Sequence, residues 1–267
     1  MDVRARNNVE IVGQPTGPTL VLAHGFGCDQ TLWRRVTGPL GARYRLVLFD
    51  HVGSGGSDPA AWDATRYSDL EAYADDVLDL IDGLHLSDVV FVGHSVAAMM
   101  GVLAANRRPG AFTKLVLVAP SPRYLDDGDY RGGFTRADID ELLESLESNY
   151  LGWARAIAPT IMGVPERPEL ADELAESFCR TDPACAKVFA RATFLSDNRA
   201  DLPRVRVPTL VLECAHDTIA PAGVGAFVAD RIPGAALRTV DTSGHCPQVS
   251  APDATADAII AFVDGAR

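Results

Sequence analysis

The chain lacks any apolar run approaching the roughly 20 residues that a membrane-spanning helix needs. Its first residues, MDVRARNNVEIVG, contain no apolar h-region, so no signal peptide is expected. Positive charge is scarce: 24 Lys and Arg stand against 36 Asp and Glu, a formal net charge of −12. No basic cluster interrupts that balance, which makes nucleic acid and anionic membranes poor partners and points to solubility instead. Five cysteines (Cys28, Cys179, Cys185, Cys214 and Cys246) are spread over 267 residues with no C-x-x-C pair. An odd, scattered set fits a reducing compartment better than a disulfide framework, so a cytoplasmic location is expected. Metal-ligand spacing is also missing, and no metal is expected. The glycine-rich stretch DHVGSGGSD at 50–58 has neither G-K-[ST] nor G-x-G-x-x-G. It therefore reads as a tight strand-to-helix turn and not as a phosphate loop.

What is present is enough apolar material for one large α/β domain with an insertion, at 47% hydrophobic residues. Short continuous apolar runs occur at 19–23, 45–49, 89–92 and 114–118, further strands are expected at 209–213 and 236–240, and a short edge strand at 9–12. Runs of that kind are strands buried on both faces of a parallel sheet. Between the second and third runs, 68–84 carries apolar residues at spacings of three and four, which predicts a helix with Ser68 as its cap and Glu71 completing a capping box. The alternation of strands and helices predicts a mostly parallel sheet flanked by helices. It stops between 121 and 196, where four helical stretches appear with no strand: one capped by Thr135, then 150–162, 169–178, and 183–195 capped by Asp182. This predicts a core of 1–120 and 197–267 with a helical cap, 121–196, inserted over the sheet. A last helix is expected at 253–263.

The stretch VVFVGHSVAAMMG at 89–101 organises the chemistry. A strand runs into Gly-His-Ser and then into a small-residue helix. Ser95 has Gly93 two residues before it and Ala97 two after, the nucleophile elbow G-x-S-x-G with alanine in its last place. Small neighbours are needed there because strand and helix approach closely. A serine hydroxyl is a weak nucleophile until a base lies within hydrogen-bond reach and a third group orients that base. In an open parallel sheet the reacting groups gather at the carboxyl ends of the strands. Asp217 follows the 209–213 strand and His245 follows the 236–240 strand. The resulting order, Ser95, Asp217, His245, is that of sheet hydrolases. Asp241 and Asp197 are alternatives for the acid. The oxyanion donors are expected to be the backbone N–H of Val96 and that of Phe26, in the loop after the 19–23 strand. His24 and His94 read as loop supports, His216 as a surface or loop residue, and His51 and His85 as exposed turn residues. Cys246 beside the base reads as a small packed residue. The pocket should be mostly apolar, and Phe26, Phe134, Trp153, Ile157 and Phe194 are expected to line it.

These residues carry a resemblance. HGFGCDQTLW from His24, DHVGSGGSD from Asp50, GHSVAAMMG from Gly93, SDNRADL from Ser196, AHDTIAP from Ala215 and SGHCPQVS from Ser243 make the chain similar to α/β-hydrolases over nearly its whole length. Within that superfamily it resembles the bacterial sigma-B energy-stress regulator Q and the strigolactone and karrikin receptor hydrolases. The resemblance implies a four-helix cap over a closed hydrophobic pocket, no cofactor, and slow turnover of small esters or lactones. It also implies, in some members, signalling through a protein partner. A serine at the elbow argues against the dehalogenase and epoxide-hydrolase chemistries of this fold, which use a carboxylate there.

Overall fold

The computed structural model describes residues 2–265. Seven strands, β1 (Glu10–Gly13), β2 (Thr19–Ala23), β3 (Arg45–Leu48), β4 (Val89–His94), β5 (Phe112–Val118), β6 (Thr209–His216) and β7 (Ala236–Ser243), form one sheet in the order β1-β3-β2-β4-β5-β6-β7. Only the β1–β3 pair is antiparallel. Helices α1 (Val3–Arg6), α2 (Arg34–Gly41), α3 (Leu70–Gly83) and α4 (Val96–Arg107) intersperse the first five strands. Four more, α5 (Arg136–Ser148), α6 (Tyr150–Met162), α7 (Pro168–Arg180) and α8 (Pro183–Phe194), fall between β5 and β6. The remaining helices are α9 (Val224–Arg231), α10 (Pro247–Ser250) and α11 (Pro252–Val263).

Strand residues alternate between two cores, as a side-chain period of two requires. Leu20, Leu22, Leu46, Val90, Val92, Val116 and Leu210 face one layer, shared with Val36 and Leu40 of α2 and Ala256 and Ile259 of α11. Val21, Val47, Phe91, Leu115 and Val211 face the other, shared with Val77 and Leu80 of α3, Met99 of α4 and Val228 of α9. Each such leucine or valine contributes about 1.5–3 kcal/mol by leaving water. The chain steps outward from β2 to β3 on one side and resumes with β4 on the other. The carboxyl ends of β2 and β4 therefore flank the point where the winding reverses, the place where open sheets of this kind bind ligands.

Several sequence expectations change in detail. The cap of α3 is Asp69, which accepts from the N–H of Glu71, while Ser68 bonds back to the Thr65 carbonyl. The shorter reach of Asp69, one residue nearer the first turn, wins the capping position. Helices α2 and α9 went unread: α2 has only Val36 and Leu40 on its apolar face and carries Pro39 inside, and α9 is eight residues long. His51 is not exposed but 1% accessible. Its backbone N–H donates to His24 Nε2 at 3.1 Å and its ring Nε2–H to the His24 carbonyl at 2.9 Å. The first bond satisfies the His24 ring and the second the His51 ring, whose burial the local sequence does not announce.

In the four-helix stretch, Thr135 and Asp138 form a reciprocal capping box on α5, and Asp182 caps α8. Helices α6 and α7 share one apolar cluster, and α5 and α8 share another that includes Tyr124. Ion pairs fasten α7 to the core, Arg180 to Asp29 in the loop after β2 and Glu173 to Arg35 at the start of α2.

Candidate active site

Strand β4 ends at His94, and Ser95 then adopts φ 57°, ψ −123° before α4 begins at Val96. Such a conformation is strained for a non-glycine residue, and it lifts the hydroxyl off the sheet. The turn closes so tightly that a Cβ on Gly93 would stand 2.6 Å from the Ala97 carbonyl oxygen. Ala97 itself is fully buried against the aliphatic layer, so the methyl that replaces the elbow's usual second glycine has a packing site of its own.

Two other strand ends converge on this hydroxyl. The Ser95 Oγ–H donates to His245 Nε2 at 2.7 Å, and the His245 Nδ1–H donates to Asp217 Oδ2 at 2.7 Å. Asp217 leaves β6 directly, and its Oδ1 accepts from the N–H groups of Ile219 and Ala220 at 2.8 and 3.0 Å. One oxygen is thereby fixed by backbone and the other is aimed at the imidazole. His245 follows β7 after Gly244, whose φ is +86° and whose α-carbon lies against the Met162 carbonyl at the end of α6. Only glycine accepts both the angle and the contact. The His245 N–H then donates to the Ile161 carbonyl at 2.8 Å, and its own carbonyl accepts from His94 Nε2 at 2.8 Å. His245 is thus held by the sheet on one side and by α6 on the other. Asp241 is exposed, and Asp197 pairs with Arg123 and Arg199; neither meets His245.

The supporting imidazoles are neutral. Burial, with nearby His245 second, pushes His94 down to about 3. Burial also lowers His24, and His51 far more. His24 Nδ1–H donates to the Gly25 carbonyl at 2.9 Å, so the His24–His51 pair braces the loop that carries Phe26. The backbone N–H groups of Phe26 and Val96 have no protein acceptor among the described residues. They are positioned by the two strand ends that flank the winding reversal.

Above Ser95 lies a cavity of about 70 Å³, several times the roughly 10–15 Å³ that one water needs. Ser95, His245 and all five side chains singled out for the pocket (Phe26, Phe134, Trp153, Ile157 and Phe194) are in its wall. Phe26 packs edge-on against Trp153, Phe189 and Phe194 at ring separations of 6.1, 5.5 and 5.8 Å. Trp153 stacks on Phe178 at 5.9 Å. Sequence reasoning missed Phe178, Leu142, Ile161, Leu174, Ile219 and, above all, Tyr124 in this wall. The Tyr124 hydroxyl sits 3.3 Å from Ser95 Oγ in a fully buried position, and burial pushes its pKa up, away from the phenolate. No helical period or motif points to it, because it lies in the irregular stretch after β5. Tyr124 and Thr193 bring the only hydroxyls besides Ser95, and the Thr193 hydroxyl has no partner. Cys28 and Cys246 also line the cavity, and burial pushes both thiols up, away from the reactive thiolate. No Arg or Lys does so, and no group of three metal-ligating side chains occurs among the described residues.

Comparison with known proteins agrees with this geometry. A family model described as "Alpha/beta hydrolase family" matches residues 20–258. "Strigolactone esterase D14" of Arabidopsis thaliana is 39% identical over 92% of this chain and 91% of its own length. "Karrikin insensitive 2 receptor CA" of Petunia hybrida is 39% identical over 94% of this chain and 93% of its own. The solved structure of olei00960, a hydrolase from Oleispira antarctica, superposes with a TM-score of 0.95 at 39% identity, covering 98% of this chain and 96% of that one. The chain belongs to the alpha/beta hydrolase family.

Proposed function

We propose that the protein is a serine hydrolase that cleaves a small apolar ester or lactone through an acyl-Ser95 intermediate. The observation that carries this reading is the hydrogen-bonded line Ser95–His245–Asp217 on the floor of an apolar cavity. In this reading Ser95 Oγ bonds to the carbonyl carbon while its proton passes to His245 Nε2. The carbonyl oxygen gains charge and accepts from the Phe26 and Val96 N–H groups. Loss of one such donor typically costs about 2.7–4 kcal/mol. The departing alkoxide takes the proton from His245, a water then adds to the acyl carbon by the same route, and Ser95 is regenerated with release of a carboxylic acid. Asp217 holds the imidazole in the required tautomer. No step calls for a cofactor. Residues 121–196 act as a lid over a core made of 1–120 and 197–267. Five free cysteines support a reducing, cytoplasmic setting, and no described helix is long and apolar enough to cross a membrane.

A second reading is favoured by the relatives whose names call them receptors. Here ligand binding, or one slow turnover, changes the surface of the four helices for a signalling protein partner. Repeated fast turnover of p-nitrophenyl esters supports the enzyme. A single slow turnover with partner capture supports the sensor. Ser95→Ala should lower ester hydrolysis on the order of 10⁴-fold or more and abolish fluorophosphonate labelling, with an unchanged melting curve. Hydrolysis at the parent rate would remove Ser95 from the chemistry.

A further inference from the structure

Hydrolysis leaves a carboxylate inside a cavity that has no Arg or Lys in its wall. An ionised carboxylate without a compensating partner is strongly disfavoured in such surroundings. The cations that would receive it line a neighbouring pocket. Leu174 of α7 is the single residue common to the catalytic cavity and to a second, smaller pocket of about 20 Å³. That second pocket carries Arg34 and Arg35 at the start of α2, with Glu173 opposite. Arg35 Nη2 reaches both Glu173 oxygens, at 2.9 and 3.1 Å, and Arg34 pairs with the same carboxylate. Two guanidiniums thus share one carboxylate, a local surplus of one positive charge on a chain whose net charge is −12. Ser177, one helical turn beyond Glu173 on α7, lines the same pocket. It is 5% accessible, and its hydroxyl has no partner. A buried hydroxyl with a free donor and a surplus guanidinium in one lining suit a carboxylate, which accepts from both. The volume is little more than one water requires. Arg34 and Arg35 are 49% and 35% exposed at the side chain, so the pocket borders solvent on their side.

We propose that the Arg34–Arg35–Ser177 pocket receives the carboxylate product and that Leu174 is the gate between it and the catalytic cavity. The proposal rests on the hydrolytic reading of Ser95. Neutral esters gain nothing from this pocket, whereas the acid they yield does, so the device favours departure of product over retention of substrate. Field strength at such a mouth falls with ionic strength.

The test is product inhibition of p-nitrophenyl butyrate hydrolysis by butyrate. In the Arg34→Gln/Arg35→Gln double variant, the ratio of the butyrate inhibition constant to the ester KM should rise about tenfold. The difference from wild type should vanish at 0.5 M salt. An unchanged ratio overturns the proposal, and so does a salt-independent rise. Should the double variant not fold, Glu173→Gln decides the matter, since freeing both guanidiniums should lower the butyrate inhibition constant several-fold; no change, or a rise, overturns it. Butyrate titration of Ser95→Ala protein by NMR separates the two layers of the argument. If wild type cleaves no ester, the hydrolytic reading fails and the exit role with it, while the titration still reports whether Arg34 and Arg35 bind a carboxylate.

Discussion

The rim of the sheet and the roof of the cavity are held by different forces. At the rim, Ser95, Asp217 and His245 are fixed by strained backbone and by hydrogen bonds to main-chain groups, among them Ile219, Ala220 and Ile161. At the roof, Phe26, Trp153, Phe178 and Phe194 meet as rings, with apolar contact and no directional bond between them. Catalytic alignment tolerates errors well under 1 Å, and only covalent geometry with hydrogen bonds supplies that. Ligand choice needs shape and volume, which packed rings supply and small substitutions can retune. The rim is therefore the brittle half and the roof the adjustable one.

Acid should break the rim first, and by the largest margin. The buried His94, with a folded-state value near 3 against about 6.5 in an unfolded chain, contributes stability that is whole above pH 6.5 and is lost as pH falls toward 3. The loss is roughly 1.4 kcal/mol per pH unit for each such imidazole, and His24 and His51 act in the same direction. Urea midpoints measured from pH 7 to pH 4 should fall steeply below 6.5; a flat profile would mean these rings are not buried neutral. Gly244→Ala tests the backbone half of the comparison. The added methyl meets the Met162 carbonyl, so His245 must move, and kcat/KM should drop about 100-fold with a loss of about 1–3 kcal/mol in stability. Unchanged kcat/KM would show that the loop relaxes without moving the base. Trp153→Ala tests the roof. Hydrolysis of long-chain esters should change about tenfold relative to labelling by a small fluorophosphonate. Equal loss for both would place Trp153 with the rim. The smallest effect is expected of Tyr124→Phe, a few-fold change in acylation rate from loss of one neutral hydrogen bond at 3.3 Å.

The central strands were legible because β2 to β6 are mostly buried and read as short aliphatic runs, whereas the edge strands β1 and β7 are largely exposed. Four helices over the sheet were legible from Thr135, Asp182 and the spacing of their leucines. Helix α2 was not, since RRVTGPLG offers two apolar positions and carries an internal proline and two glycines. Its helicity comes from docking Val36 and Leu40 against the sheet and α11. His51 and Tyr124 were misread or unseen for a shared reason. Their burial depends on partners distant in the chain, His24 for one and the Ser95 hydroxyl for the other.

What the sequence determined by itself is local: the strand-turn-helix around Ser95, the chain order of Ser95, Asp217 and His245 after their strands, the interruption of strands between β5 and β6, and the aromatic content of the helices that fill it. Those follow from backbone sterics and side-chain periodicity, which act within a few residues. The tertiary structure decided that His51 is buried against His24, that Tyr124 and Phe178 join the cavity wall, and that Leu174 lines both the cavity and a pocket carrying two arginines. Those are matters of distance between segments far apart in the chain, and they are settled only when the sheet closes and the helices pack down on it.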